Sequence, residues 1–359
     1  MTLMTFAYLI GGLILLVVGA EALVRGASKL AARFGISPLM IGLTVVAFGT
    51  SAPETAVSIQ AALSGSGDIA VGNVIGSNIA NILLILGLSA LVSPLIVSRQ
   101  LVRLDVPVMI GAGVLTFALA WNGNLSRIEG GILLTLLLLY TAFLVVASKR
   151  DKKLIQAQEV PAGTEAENSR FGWVIQLAMV LVGLGLLVLG SNLLIEGAVA
   201  LARALGLSEL VIGLTVIAVG TSLPELATSL LAVYRGERDI AVGNIVGSCI
   251  FNLLLVLGAG SVVSTSGLSV SPNALAFDLP VMLAVFVACL PIFFSGYRIN
   301  RWEGALFFGY YLAYTLYLVM FSTGLPSINL LRHAMTWYVL PLTAVTLLVI
   351  FVRAWKHQR

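Results

Sequence analysis

The chain has 359 residues, 59% of them hydrophobic and only 10% charged, with a mean hydropathy of +1.05. A soluble protein of this size carries roughly 25% charged residues, so the composition describes a polytopic membrane protein. The net charge of +4 calls for no nucleic-acid partner, and the two cysteines, Cys249 and Cys289, lie in apolar stretches that suit buried small hydrophobes rather than a disulfide framework.

An apolar helix needs about 20 residues to cross the bilayer core. Such spans are predicted near 4–24, 39–64, 69–93, 105–121 and 129–148, then 172–195, 210–232, 240–263, 275–295 and 302–321, with an eleventh near 335–354. The first could pass for a secretory leader, with Ala20-Glu21-Ala22 imitating a cleavage site. No basic residue precedes it, Arg25 and Lys29 follow it, and Gly19–Ala27 aligns with Gly190–Ala198, so it is kept as a span.

The second and third spans carry the most informative residues. GLTVVAFGTSAPE (Gly42–Glu54) returns as GLTVIAVGTSLPE (Gly213–Glu225), identical at ten of thirteen positions. DIAVGNVIGSNIAN (Asp68–Asn81) returns as DIAVGNIVGSCIFN (Asp239–Asn252), identical at ten of fourteen. Both pairs share an offset of 171 residues, so a folded unit is duplicated. Asp105-Val-Pro107 against Asp278-Leu-Pro280, and Arg127-Ile-Glu129-Gly130 against Arg301-Trp-Glu303-Gly304, extend the duplication over five spans. The predicted organisation is a first five-helix repeat (1–148), a flexible cytoplasmic linker (149–171), a second repeat (172–321), and an extra transmembrane helix with a basic tail (322–359).

Five spans separate equivalent points, and five is odd, so the copies run through the membrane in opposite directions. With the N-terminus outside and the C-terminus cytoplasmic, 17 of the 20 Lys and Arg residues face the cytoplasm and only Arg127, Arg203 and Arg332 face out. The positive-inside rule selects that orientation. The fold expected is therefore an all-α polytopic membrane protein of two inverted five-helix repeats plus one C-terminal helix. Inverted repeats with a site at their interface are the architecture of alternating access.

Glu54 lies about sixteen residues into its span, near mid-bilayer at roughly 1.5 Å per residue. An ionised carboxylate there costs several kcal/mol unless paired, and no Lys or Arg sits in mid-span, so the counter-charge is a cation or a proton. Glu225 repeats the arrangement. Two protonated glutamates serving as packing donors are the plain alternative, but the flanking chemistry is repeated too. Pro53 and Pro224 lack an N–H and clash with the carbonyl four residues back, Gly49 or Gly220. Carbonyls near Ala47–Thr50 and Ala218–Thr221 are thereby expected to turn toward a ligand, beside the hydroxyls of Thr50, Ser51, Thr221 and Ser222. On the next helix Asn73, Ser77 and Asn81 fall along one face, as do Asn244, Ser248 and Asn252. Ser77, Asn81, Ser248 and Asn252 are ligand candidates, Asn73 and Asn244 clamps for the broken helix, and Asp68 and Asp239 residues of helix N-termini. Gly72, Gly76, Gly243 and Gly247 allow close helix approach. The set is hard and all-oxygen. It suits Ca²⁺ or Na⁺, and it disfavours zinc and copper, because His333 and His357 lie outside the repeats.

The doubled G-T-S-x-P-E and D-x-x-x-G-N-x-x-G-S-x-x-x-N pattern resembles the cation/calcium exchanger superfamily, and most of all the prokaryotic sodium/calcium exchangers, over residues 5–321. The resemblance implies ten core helices with ion sites built by spans 2, 3, 7 and 8, no cofactor, and no enzymatic activity. It implies that Glu54 and Glu225 bind Ca²⁺ with the Thr50 and Thr221 carbonyls. Na⁺ sites would add Ala47, Ser51, Ser77, Ala218, Ser222 and Ser248, with Asn81 and Asn252 at the centre. In the potassium-dependent branch an aspartate stands where this chain has Asn252, so K⁺ coupling is not expected. The linker has no room for large cytosolic Ca²⁺-sensing domains. The expectation is a Na⁺/Ca²⁺ antiporter of the cell (inner) membrane whose partners are the two ions and the bilayer, with a monomer sufficient for the site. A Ca²⁺/H⁺ antiporter on the same scaffold is the alternative. A non-transporting structural protein is the remote one, since it would have no use for two inverted hydrophilic centres.

Overall fold

The computed structural model describes residues 3–158, 172–206, 209–325 and 327–357. Helix α1 (Leu3–Phe34) is followed by a span broken into α2 (Pro38–Thr50) and α3 (Ala52–Leu63), bent by 45° at the break. Then come α4 (Gly67–Val92), α5 (Leu101–Asn122) and α6 (Arg127–Gln158). The second copy runs α7 (Gly172–Ala204), α8 (209–220), α9 (Leu223–Tyr234), α10 (Arg238–Val263), α11 (Ala274–Phe294) and α12 (Arg301–Thr323), and α13 (328–357) closes the chain. Among the described residues eight continuous helices are long and apolar enough to cross a membrane, and the bent α2–α3 pair makes a ninth. α8 and α9 are its duplicate.

The duplication reaches into details that no hydropathy profile shows. Single π-helical turns occur at Gly42–Val46 and Gly213–Ile217, at Asn81–Leu86 and Asn252–Val256, and at Leu101–Asp105 and Ala274–Asp278. Each inserts a residue into the helical ladder, a device that recurs at functional sites. One boundary moves. α6 continues to Gln158, ten residues into the stretch expected to be linker, because KRDKKLIQAQ contains helix formers and neither Gly nor Pro. The rest of that linker, 159–171, lies outside the described residues.

Two short sheets report the direction of the repeats. β1 (Leu95–Ile96) pairs antiparallel with β4 (Arg298–Ile299), and β2 (Asn124–Leu125) with β3 (Leu268–Ser269). β1 and β3 are equivalent strands after the third span of each copy, and β2 and β4 are equivalent strands after the fourth. Each sheet therefore joins a third-span strand to a fourth-span strand of the other copy. Successive spans end on opposite sides, so equivalent strands lie on opposite faces of the membrane, as inverted repeats require.

α4 and α10 form the centre of the molecule and are the most buried of the spans. α1 and α7 lie side by side along a glycine seam: a Cβ on Gly19 would stand 2.8 Å from the Gly183 carbonyl, and one on Gly183 would stand 2.7 Å from that of Gly19. Both helices exceed 30 residues, about 45 Å at 1.5 Å per residue, so they overrun the hydrocarbon core or tilt within it.

Candidate ion-binding site

The helical ladder breaks at Ser51 (φ −79°, ψ 10°) and at Ser222 (φ −89°, ψ 10°), one position before the Ala-Pro-Glu and Leu-Pro-Glu turns. The missing N–H of Pro53 and Pro224 explains the place of the break. It sets Glu54 and Glu225 in the first turns of α3 and α9, both fully buried.

The two copies complete each other. Ser51 Oγ donates to Glu225 Oε1 at 3.1 Å, and Ser222 Oγ donates to Glu54 Oε1 at 3.1 Å. Each carboxylate is thus held by the hydroxyl of the opposite repeat. Hydrogen bonds to charged acceptors contribute about 1.5–3 kcal/mol each. The second oxygens, Glu54 Oε2 and Glu225 Oε2, have no hydrogen-bond partner among the described residues, and neither do Ser77 Oγ, Asn252 Oδ1 or either amide atom of Asn81. All belong to fully or almost fully buried residues. A buried polar atom without a partner costs about 1–3 kcal/mol, so acceptor oxygens left bare on both carboxylates and on the motif residues Ser77, Asn81 and Asn252 fit an ion that is not part of the chain.

The clamps behave as expected. Asn73 Nδ2 donates to Ser58 Oγ at 3.0 Å and to the Glu54 carbonyl at 3.4 Å, and Asn244 Nδ2 donates to Ser229 Oγ at 3.0 Å. Their carbonyls accept across the repeats, Asn244 from Thr50 at 3.0 Å and Asn73 from Thr221 at 3.4 Å. Ser58 and Ser229 escaped sequence reasoning, although both stand four residues after the glutamate at the repeat offset. Asn78 escaped it because its duplicate is Cys249, which removes it from the repeated pattern. Asn78 Oδ1 accepts from Asn252 Nδ2 at 3.3 Å, which orients that amide. Ser191 on α7 donates to the Gly220 carbonyl at 2.8 Å, and its counterpart in the first copy is Ala20. Of the carbonyls expected to be freed, those of Gly220 and Ala47 are engaged. The latter accepts from the Ser51 N–H at 3.1 Å and from the Thr50 hydroxyl at 3.4 Å. Ala218 opens the short segment Ala218–Gly220 at the matching point of the second copy.

One expectation holds for only half of the site. Gly243 and Gly247 are pressed by α2: a Cβ on Gly243 would lie 2.7 Å from the Leu39 carbonyl, and one on Gly247 would lie 2.7 Å from the Ala47 Cβ. Among the described residues, their duplicates Gly72 and Gly76 have nothing within 4 Å. α2 is closed on α10, whereas among the described residues no atom of α8 comes within 4 Å of the space beside the α4 glycines.

Residues 4–146 and 175–320 match the family described as sodium/calcium exchanger protein. The chain belongs to the sodium/calcium exchanger family. It is 39% identical over 287 residues to the inner membrane protein YrbG of Escherichia coli, covering 79% of this chain and 87% of that one. It is 33% identical over 349 residues to the sodium/calcium exchanger MaX1 of Methanosarcina acetivorans, covering 89% and 99%. Its fold matches the solved structure of the sodium-calcium exchanger NCX_Mj with a TM-score of 0.74 at 32% identity, covering 87% of this chain and 98% of that one. The chain is thus a multi-pass membrane transporter and not an enzyme. The family match stops before α13.

Proposed function

We propose that this protein is a secondary active antiporter exchanging Na⁺ for Ca²⁺ by alternating access. The observation that carries the reading is the reciprocal bonding of Glu54 and Glu225 across the repeats, with the second oxygen of each left without a partner among the described residues. Two carboxylates neutralise one Ca²⁺ or more than one Na⁺, so the two ions compete for one pool of charge. In this reading Ca²⁺ sits between Glu54 and Glu225 with the Thr50 and Thr221 carbonyls, since it takes six to eight oxygens in adaptable geometry. Na⁺ draws on Ser51, Ser77, Ser222 and Ser248, and on the carbonyls of Ala47 and Ala218 once these are re-aimed, around Asn81 and Asn252. The N-terminus is outside, which puts the open α4–α8 face on the external side and the closed α2–α10 face on the cytoplasmic side.

A Ca²⁺/H⁺ antiporter is the second reading, favoured by one fact: among the described residues no basic side chain bonds either carboxylate, so a proton serves as counter-charge as readily as an ion. The test is ⁴⁵Ca²⁺ uptake into proteoliposomes with the opposing gradient switched between Na⁺ and H⁺, and with K⁺ replaced by choline at constant ionic strength. Uptake driven by Na⁺ and indifferent to K⁺ is expected. Uptake driven by a pH gradient alone overturns the Na⁺ reading, and a clear loss without K⁺ overturns the inference from Asn252.

A further inference from the structure

A groove of about 460 Å³ lies between α11, α12 and α13. On α11 its wall runs from Ala276 to Ile292. Those seventeen residues span about 24 Å of helix at 1.5 Å per residue, most of the ~30 Å hydrocarbon core. The wall is apolar in effect. Tyr310 and Thr343 use their hydroxyls on each other at 2.5 Å, and Tyr314 donates to Asp278 at 3.0 Å. Arg332 is the one charged residue of the lining, and it stands at the end of the groove where α13 begins. Among the described residues it forms no hydrogen bond or ion pair.

We propose that this groove holds one bilayer phospholipid, an acyl chain lying along α11 and the phosphate against Arg332. Size selects a lipid chain over a protein segment. A helix about 10 Å wide fills roughly 1,900 Å³ over the same length, more than the about 1430 Å³ of total empty space in the groove. Charge selects the head: a guanidinium at the membrane surface with no carboxylate beside it matches a phosphodiester, which it can bond in bidentate fashion. The groove exists only in the second copy, because α13 has no counterpart in the first. Its floor includes Leu83, two residues beyond Asn81 in the same π-helical turn, so the lipid would lie behind the ion site without contacting the ions.

The test is native mass spectrometry of the detergent-purified full chain titrated with phosphatidylglycerol. Ala288→Phe fills the chain slot, Arg332→Ala removes the head contact, and Val287→Phe places the same bulk on the half-exposed neighbouring position outside the groove. Wild type and Val287→Phe should each retain one lipid per monomer. Ala288→Phe should lose it at least tenfold, and Arg332→Ala should bind about fivefold more weakly, the scale of one basic contact near an anionic head group. Lipid retention by both groove variants equal to wild type, or a lipid-free dimer as the wild-type species, would overturn the proposal. Should Ala288→Phe fail to fold, Arg332→Ala at the surface end still decides it.

Discussion

The α2–α10 contact and the α8–α4 contact are built from nearly the same letters, yet one is shut and the other open. A Cβ on Gly243 or Gly247 would meet backbone or Cβ atoms of α2 within 3 Å, while one on Gly72 or Gly76 would meet no described atom within 4 Å. The polar network follows the same division. Around Glu225, Ser248 reaches Glu225 Oε1 and Thr50 Oγ1 at 3.5 Å, and Thr50 is held at 3.0 Å by Asn244. Around Glu54, Ser77 has no partner, and the matching Thr221–Asn73 bond is longer, at 3.4 Å. The shut side also carries charges that the open side does not. Arg235 bonds Glu21 at 2.6 Å, Arg25 pairs with the same carboxylate, and Ser28 donates to Glu237 at 2.5 Å, tying α1 to the α9–α10 turn. The duplicates of Glu21, Arg235 and Glu237 are Asn192, Ser64 and Ser66. A repeated motif supplies the two halves of a site.

The largest effect is expected at the residues that the comparison treats as equivalent. Glu54→Gln and Glu225→Gln should each reduce Ca²⁺ flux more than a hundredfold, since one charge is lost from a pair that must offset a divalent ion. Gel filtration should show both proteins folded. Near-normal flux in either one would end the assignment of the site.

Opposite sidedness comes next, as an all-or-none difference. Leu63 and Tyr234 are duplicates at the ends of α3 and α9, and both are well exposed. In a background of Cys249→Ala and Cys289→Ala, Leu63→Cys should react with an impermeant thiol reagent on intact cells, and Tyr234→Cys only after permeabilisation. Labelling of both from one side would contradict the inverted arrangement.

Gly76→Val and Gly247→Val probe the open and shut contacts directly. In the open cleft valine has room, so Gly76→Val should leave thermal stability unchanged but hinder closure, lowering flux about tenfold. At Gly247 the added methyls meet Ala47 and Leu43, an overpacking that costs about 1–3 kcal/mol, so stability should fall as well. Equal melting temperatures for the two variants would show that the asymmetry is not a property of the protein in solution.

The smallest change is expected for Arg235→Ser, which gives the shut side its duplicate's residue. Exposed ion pairs contribute about 0–1 kcal/mol and are screened by salt. Exchange rate should shift by no more than about fivefold at low ionic strength, and the shift should vanish in 1 M salt. A larger or salt-insensitive effect would mean that Arg235 acts beyond its contact with Glu21.

Much of this protein is set by local sequence. Apolar run length fixes the spans, Gly-Thr-Ser-x-Pro-Glu fixes where the second span breaks, and the odd number of spans between copies fixes their opposite directions. Glu54, Glu225, Asn73 and Asn244 were legible because burying a carboxylate or an amide without a purpose is costly, and here it is done twice. The rest depends on partners far along the chain, 29 residues for Ser191 and Gly220 and 174 for the pairs that cross the repeats. That Ser51 serves Glu225 rather than Glu54, that Ser191 caps the Gly220 carbonyl, and that Asn78 orients Asn252 are facts of helix crossing, which no local period encodes. The groove beneath α13 arises only when three helices meet, one of them outside the repeats. Which of the two contacts is tighter is beyond any motif, since both copies carry the same motif and only the packing of α2 and α8 distinguishes them.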